Sequence, residues 1–95
     1  MSDGPVRADE RQARMRAGER EARIRSMMGE HLRFVTRALR RARVPRGELD
    51  DSIQRTFIVA AGRLERTPVA SERAFLYGVA LNIASHARRT YGRRR

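Results

Sequence analysis

Residues 48–64 read ELDDSIQRTFIVAAGRL, and their spacing decides the fold. Leu49, Ile53, Phe57, Ala60, Ala61 and Leu64 recur at three- and four-residue steps, the period of one helix face. Glu48, Asp50 and Asp51 fill the first turn, where the helix dipole favours negative charge. The spacing predicts a helix from about Glu48 to Arg66. Upstream, Ile24, Met27, Met28, Leu32, Val35 and Leu39 form a second stripe, with Phe34 at its edge, on a helix over roughly residues 21 to 43. The segment VPRG at 44–47 ends it, because Pro45 cannot continue a helix and Gly47 permits a turn. Downstream, RTPVAS at 66–71 reads as a loop, and Ser71 is placed to cap a third helix from about Glu72 to Arg89. Leu76, Val79, Ala80, Ile83 and Ala87 gather on one side of that helix, with Phe75 at the edge. Tyr77, Gly78, Leu81, Asn82, Ser85, Arg88 and Arg89 occupy the opposite arc. No stretch alternates with a period of two. The fold class is therefore all-α, a compact three-helix unit.

Residues 1 to about 20 are charged and poor in large apolar side chains, and Gly18 interrupts them. They read as an N-terminal extension, either a frayed helix or a disordered leader. The pairs Glu10–Arg14, Glu19–Arg23 and Glu21–Arg25 have the four-residue spacing that supports a helix.

The 95 residues carry a formal net charge of +11, and every basic residue other than the two histidines is arginine. A charge of this sign and size points to a polyanion. Arginine suits phosphate forks, guanine edges and base stacking. The absence of cysteine removes disulfides, thiolate catalysis and the usual zinc sites. No apolar run approaches the roughly 18 residues of a membrane span, and the N-terminus has no secretory h-region. His31 and His86 lie on different helices, outside any metal-ligand spacing, and no glycine-rich phosphate loop or GxSxG is present. These features argue against an enzyme and imply no cofactor.

Two segments carry a family resemblance. DDSIQRTF, 50–57, resembles the acidic DLVQETF-type segment of bacterial RNA polymerase sigma factors. ERAFLYGVALNIASHARR, 72–89, is similar to the following segment of the extracytoplasmic-function group, which reads approximately FRAWLFxIARNxAxDHxRR. MMGEHLRFVTRALRRARV, 27–44, resembles the preceding helix of that domain, and the match spans roughly residues 21 to 93. The resemblance implies a sigma region 2 domain over 21–95, after an extension over 1–20. It implies docking on the clamp helices of the largest subunit of core RNA polymerase, through Asp50, Asp51, Gln54 and the position of Arg55. It further implies recognition and melting of the minus-ten promoter element by capture of the non-template strand. Arg66, Arg73, Tyr77, Asn82, His86, Arg88, Arg89 and Arg93 are the DNA-binding candidates. The phosphate contacts fall to arginines, base reading to Asn82 and His86, and the base pocket partly to the loop LERTPVASER, 64–73. Localisation would be the bacterial cytoplasm.

This chain departs from the family pattern at four positions. Arg55 stands where glutamate is usual, Leu81 where arginine is common, His86 where aspartate is common, and Phe75 replaces tryptophan. Arg55 weakens the expected attraction to a basic clamp. The second domain of a complete factor, which reads the minus-thirty-five element, does not appear, so the chain reads as the first domain of a longer factor or as a naturally short variant. Two other functions fit the charge: a basic helical nucleic-acid-binding protein without polymerase contact, and a module whose main partner is an anti-sigma protein. A pure polyanion binder gains little from the acids at 48, 50 and 51.

Overall fold

The computed structural model describes residues 3–94. Among the described residues there are three α-helices, α1 (Asp3–Arg41), α2 (Leu49–Ala61) and α3 (Glu72–Arg94). Short 3-10 turns at Arg46–Glu48, Leu64–Arg66 and Val69–Ser71 join them. No strand occurs among the described residues. Each helix packs on the other two.

The first helix is longer than its apolar stripe predicts. It begins at Asp3 and runs through Gly18 without interruption. At about 1.5 Å per residue its 39 residues span close to 60 Å, which accounts for the 65 Å long axis of the molecule. The extension is therefore helical from residue 3 and continuous with the core helix. Two of the three expected pairs form along it, Glu10–Arg14 at 3.7 Å and Glu21–Arg25 at 4.0 Å. Arg23 instead turns away from Glu19 and bridges to α3.

The exit from α1 also differs. The left-handed residue is Arg43, with φ of 65°, and no glycine has a positive φ among the described residues. The Arg43 amide donates to the Arg40 carbonyl at 3.0 Å, and the Val44 amide to Leu39 at 3.2 Å. This is the paired Schellman closure, and its apolar contact is supplied by the buried residues Leu39 and Val44. Pro45 then starts the Arg46–Glu48 turn, in which Gly47 lies. The second helix stops at Ala61 rather than Arg66, and Leu64–Arg66 forms its own turn. Thr67 is extended, as a residue before proline is driven to be.

The core is built from Met27, Val35, Ala38, Leu39, Val44, Phe57, Ala60, Leu64, Leu76, Ala80, Ala84 and Ala87. Burying a side chain the size of Leu39 or Leu76 contributes about 2 kcal/mol each. Four of the six expected α1 positions, Ile24, Met27, Val35 and Leu39, face the core. Met28 and Leu32 are exposed, while His31 and Ala38 are buried. Thr56 is fully buried and donates its hydroxyl to the Ser52 carbonyl at 2.8 Å, so the core carries it at no loss of a hydrogen bond.

One polar cluster ties the layers together. Glu72, the first residue of α3, is 3% exposed. Arg23 reaches it from α1 with Nε 3.0 Å from Oε2, and the same guanidinium donates to the Thr67 carbonyl. His31 Nε2 stands 3.7 Å from the other carboxylate oxygen. One turn earlier on α1, Arg20 donates to Glu65 at 3.0 Å and to the Ala61 carbonyl at 2.6 Å. These arginines hold the 64–71 connection against the side of α1.

Candidate functional site

Three surfaces carry the candidate residues. The first is the outer face of α2. Asp50, Asp51, Gln54 and Arg55 are all exposed there. Ile58, one turn further along, is 64% exposed and adds an apolar element that the acidic pattern did not reveal. Asp51 is engaged within the chain, because Arg55 Nε lies 3.0 Å from its Oδ2. An exposed pair at this spacing contributes a few tenths of a kcal/mol. It also offsets the Asp51 charge within the chain.

The second surface is a groove of about 570 Å³ between α1 and α3. Arg33, Arg37 and Arg41 line one wall at four-residue intervals, and Arg73, Tyr77 and Leu81 line the other at the same interval. The guanidinium carbon of Arg73 sits 4.3 Å from the centre of the Phe34 ring, within cation–π range. The Tyr77 ring lies 6.0 Å from Phe34 at a tilt of 41°. Phe34, at the edge of the α1 stripe, is partly buried and forms the groove floor. Glu30 is the one acid on the lining. At one end Arg88 donates to the Ala42 carbonyl, at the C-terminal end of α1 where a cation is favoured.

The third surface is a notch of about 70 Å³ where α3 meets the start of α2. His86 and Thr90 face Glu48, Asp51 and Arg55 across it.

The DNA-binding candidates are thus distributed. Arg73 and Tyr77 share the groove, and Arg88 closes its end. Asn82, Arg89 and Arg93 are exposed on α3, and Arg66 is exposed on its turn. His86 lies in the notch with the acids of α2. Helical geometry sets it roughly 140° around α3 from Arg73. Asn82 and His86 share a helix side, but His86 neighbours the polymerase-binding candidates rather than the arginine wall.

Arg33, Arg37 and Arg41 are not among the sequence-based candidates. The spacing of the three arginines was legible, yet on α1 alone it describes a solvated helix face. It becomes one wall of a groove only because Arg73 and Tyr77 stand opposite.

Backbone hydrogen bonding at Glu65, and next the Arg20 guanidinium, hold the Glu65 carboxyl below the ordinary glutamate value. Among the described residues no group of three or more histidine or acidic side chains is arranged to hold a metal ion, and no helix is long and apolar enough to cross a membrane. Compared with known proteins, the chain matches no protein family, no curated protein and no solved structure.

Proposed function

We propose that this chain is a transcription initiation module of the sigma type, related to region 2 of the extracytoplasmic-function group. On this reading α2 docks on the clamp helices of core RNA polymerase through Asp50, Asp51 and Gln54. Helix α3 and the 64–71 connection recognise the minus-ten element and capture its unpaired non-template strand.

The observation that carries the reading is a separation of charge. Glu48 and Asp51 border one edge of α3, and the arginine groove borders its opposite edge. A basic protein partner on α2 and a polyanion in the groove can therefore be held at once, with Glu48 and Asp51 turned away from the arginine wall. The Arg20 and Arg23 bonds further favour a fixed 64–71 connection, as a base-reading loop requires.

The test is capture of core polymerase, or of its isolated clamp helices, by the whole chain. The variant Asp51→Arg with Gln54→Ala should lose polymerase and keep its affinity for DNA. Loss of DNA binding with unchanged polymerase capture would overturn the assignment. Asn82→Ala should lower sequence preference more than total affinity, and a uniform loss across sequences would reduce Asn82 to a positioning contact.

A second reading is favoured by the Asp51–Arg55 pair, which already satisfies one of the docking acids within the chain. It is a basic helical nucleic-acid-binding protein that never meets polymerase. Strong, indiscriminate binding of single strands without polymerase capture would select it.

A further inference from the structure

We propose that the α1–α3 groove is a nucleotide-binding site, with its phosphate wall on α1 and its base platform on α3. The proposal deepens the nucleic-acid part of the reading above and rests on it only for the choice of ligand. The polymerase face plays no part in it.

The chemistry of the lining selects the ligand. Arg33, Arg37 and Arg41 make no ion pair and no side-chain hydrogen bond among the described residues. At four-residue spacing their α-carbons rise about 6 Å per step. That matches the distance between successive phosphates of an extended single strand, and guanidinium groups bind phosphate by paired donors. The opposite wall is suited to a base. Phe34 holds the Arg73 guanidinium at 4.3 Å on one side, and Arg73 is exposed to solvent. An unpaired base can stack on the free face of that guanidinium, extending a Phe34–Arg73 stack by one layer. Tyr77, 47% exposed, supplies an aromatic edge or face beside it. Glu30 is the only carboxylate among the described residues of the groove, so it suits a base that offers an exocyclic amino group, adenine, cytosine or guanine, over thymine or uracil. A volume of about 570 Å³ lies in the range of small-molecule sites.

The same chemistry occurs in an unpaired nucleotide within a strand and in a free nucleoside polyphosphate. The experiment separates them. Binding of a labelled five-nucleotide single strand to the whole chain is measured by fluorescence anisotropy over a range of salt, with ATP as competitor. Tyr77→Ala should weaken binding roughly tenfold, the usual loss for one stacked base. Arg37→Ala should weaken it and lower the slope of log affinity against log salt by about 0.7, one phosphate's share on a single strand. Arg14→Ala, the same charge change on the exposed part of α1, should change the affinity less than twofold. A strand bound at least tenfold more tightly than ATP identifies the strand as the ligand; equal affinity identifies the free nucleotide.

The site is overturned if Arg14→Ala matches Arg37→Ala and Tyr77→Ala binds like the unaltered chain, for then attraction is diffuse. Circular dichroism of each variant guards against unfolding, and Tyr77→Phe, which keeps the ring, should bind within about threefold of the unaltered chain. Polymerase capture is scored separately. Its failure with an intact groove leaves this site standing and removes only the sigma reading.

Discussion

Arg23 and Glu72 are 49 positions apart in the chain and 3.0 Å apart in space. One lies on the first helix and the other opens the third. The carboxylate is almost wholly buried, while the guanidinium keeps about a third of its surface in solvent.

Removing one partner strands a charge in the interior. Arg23→Ala should cost about 3 kcal/mol, the lower end for a broken buried pair because Arg23 is partly exposed. In a domain this small the melting temperature falls by more than about 10 °C. Replacing both residues with methionine should recover much of the loss, since apolar replacements of a buried pair are often neutral. A melting temperature unchanged by Arg23→Ala would show that the pair contributes nothing net.

Arg43 holds a left-handed backbone that costs an ordinary residue about 1–2 kcal/mol. Arg43→Gly should raise stability by about 0.5–1 kcal/mol after the larger entropy of the unfolded glycine chain is subtracted. Arg43→Val, branched at Cβ, should lower it. Urea denaturation of the three proteins checks the order, and a destabilised glycine variant would contradict the Schellman closure.

The pair between Asp51 and Arg55 competes with any basic partner for Asp51. Arg55→Ala should leave stability within about 0.5 kcal/mol and raise clamp-helix affinity at least about twofold. Weaker capture by this variant would mean that Arg55 contacts the partner directly.

Backbone hydrogen bonding at Glu65, and next its contact with Arg20, predict a pH response in the 64–71 connection. The carboxyl of Glu65 titrates below its ordinary value near 4.5, so the folded state favours its ionised form. That stabilisation is complete above the ordinary value and is lost as the pH falls through the lower native one. Amide exchange of residues 64–67 should therefore lose protection in acid, referenced to the core helices. Arg20→Ala should weaken this local response. Identical pH profiles in the two proteins would sever the link.

Local periodicity carries much of this architecture. Leu49, Ile53, Phe57 and Ala60 set the inner face of α2, and Leu76 and Ala80 that of α3, because three- and four-residue steps leave little choice. The α1 stripe is legible at Ile24, Met27, Val35 and Leu39 and fails at Met28 and Leu32, whose place on the inner side His31 and Ala38 take. His31 belongs on the inner face once Glu72 is beside it, and no spacing within α1 reveals a partner on α3. Gly18 reads as a break because glycine weakens helices, yet a long helix absorbs one such penalty. At the candidate sites, residue types were legible and neighbourhoods were not. His86 reads as a companion of Asn82 until α2 is seen to bring Asp51 into its notch.

The inner side of α3 is largely alanine, with Ala80, Ala84 and Ala87 against the neighbouring helices. A larger side chain there has little room, whereas Gly78, Asn82 and Arg89 on the outer side meet only solvent. Mutation can therefore explore the outward row at little risk to the architecture. The same scaffold thus tolerates different side chains in that row, and sequence divergence should be concentrated there.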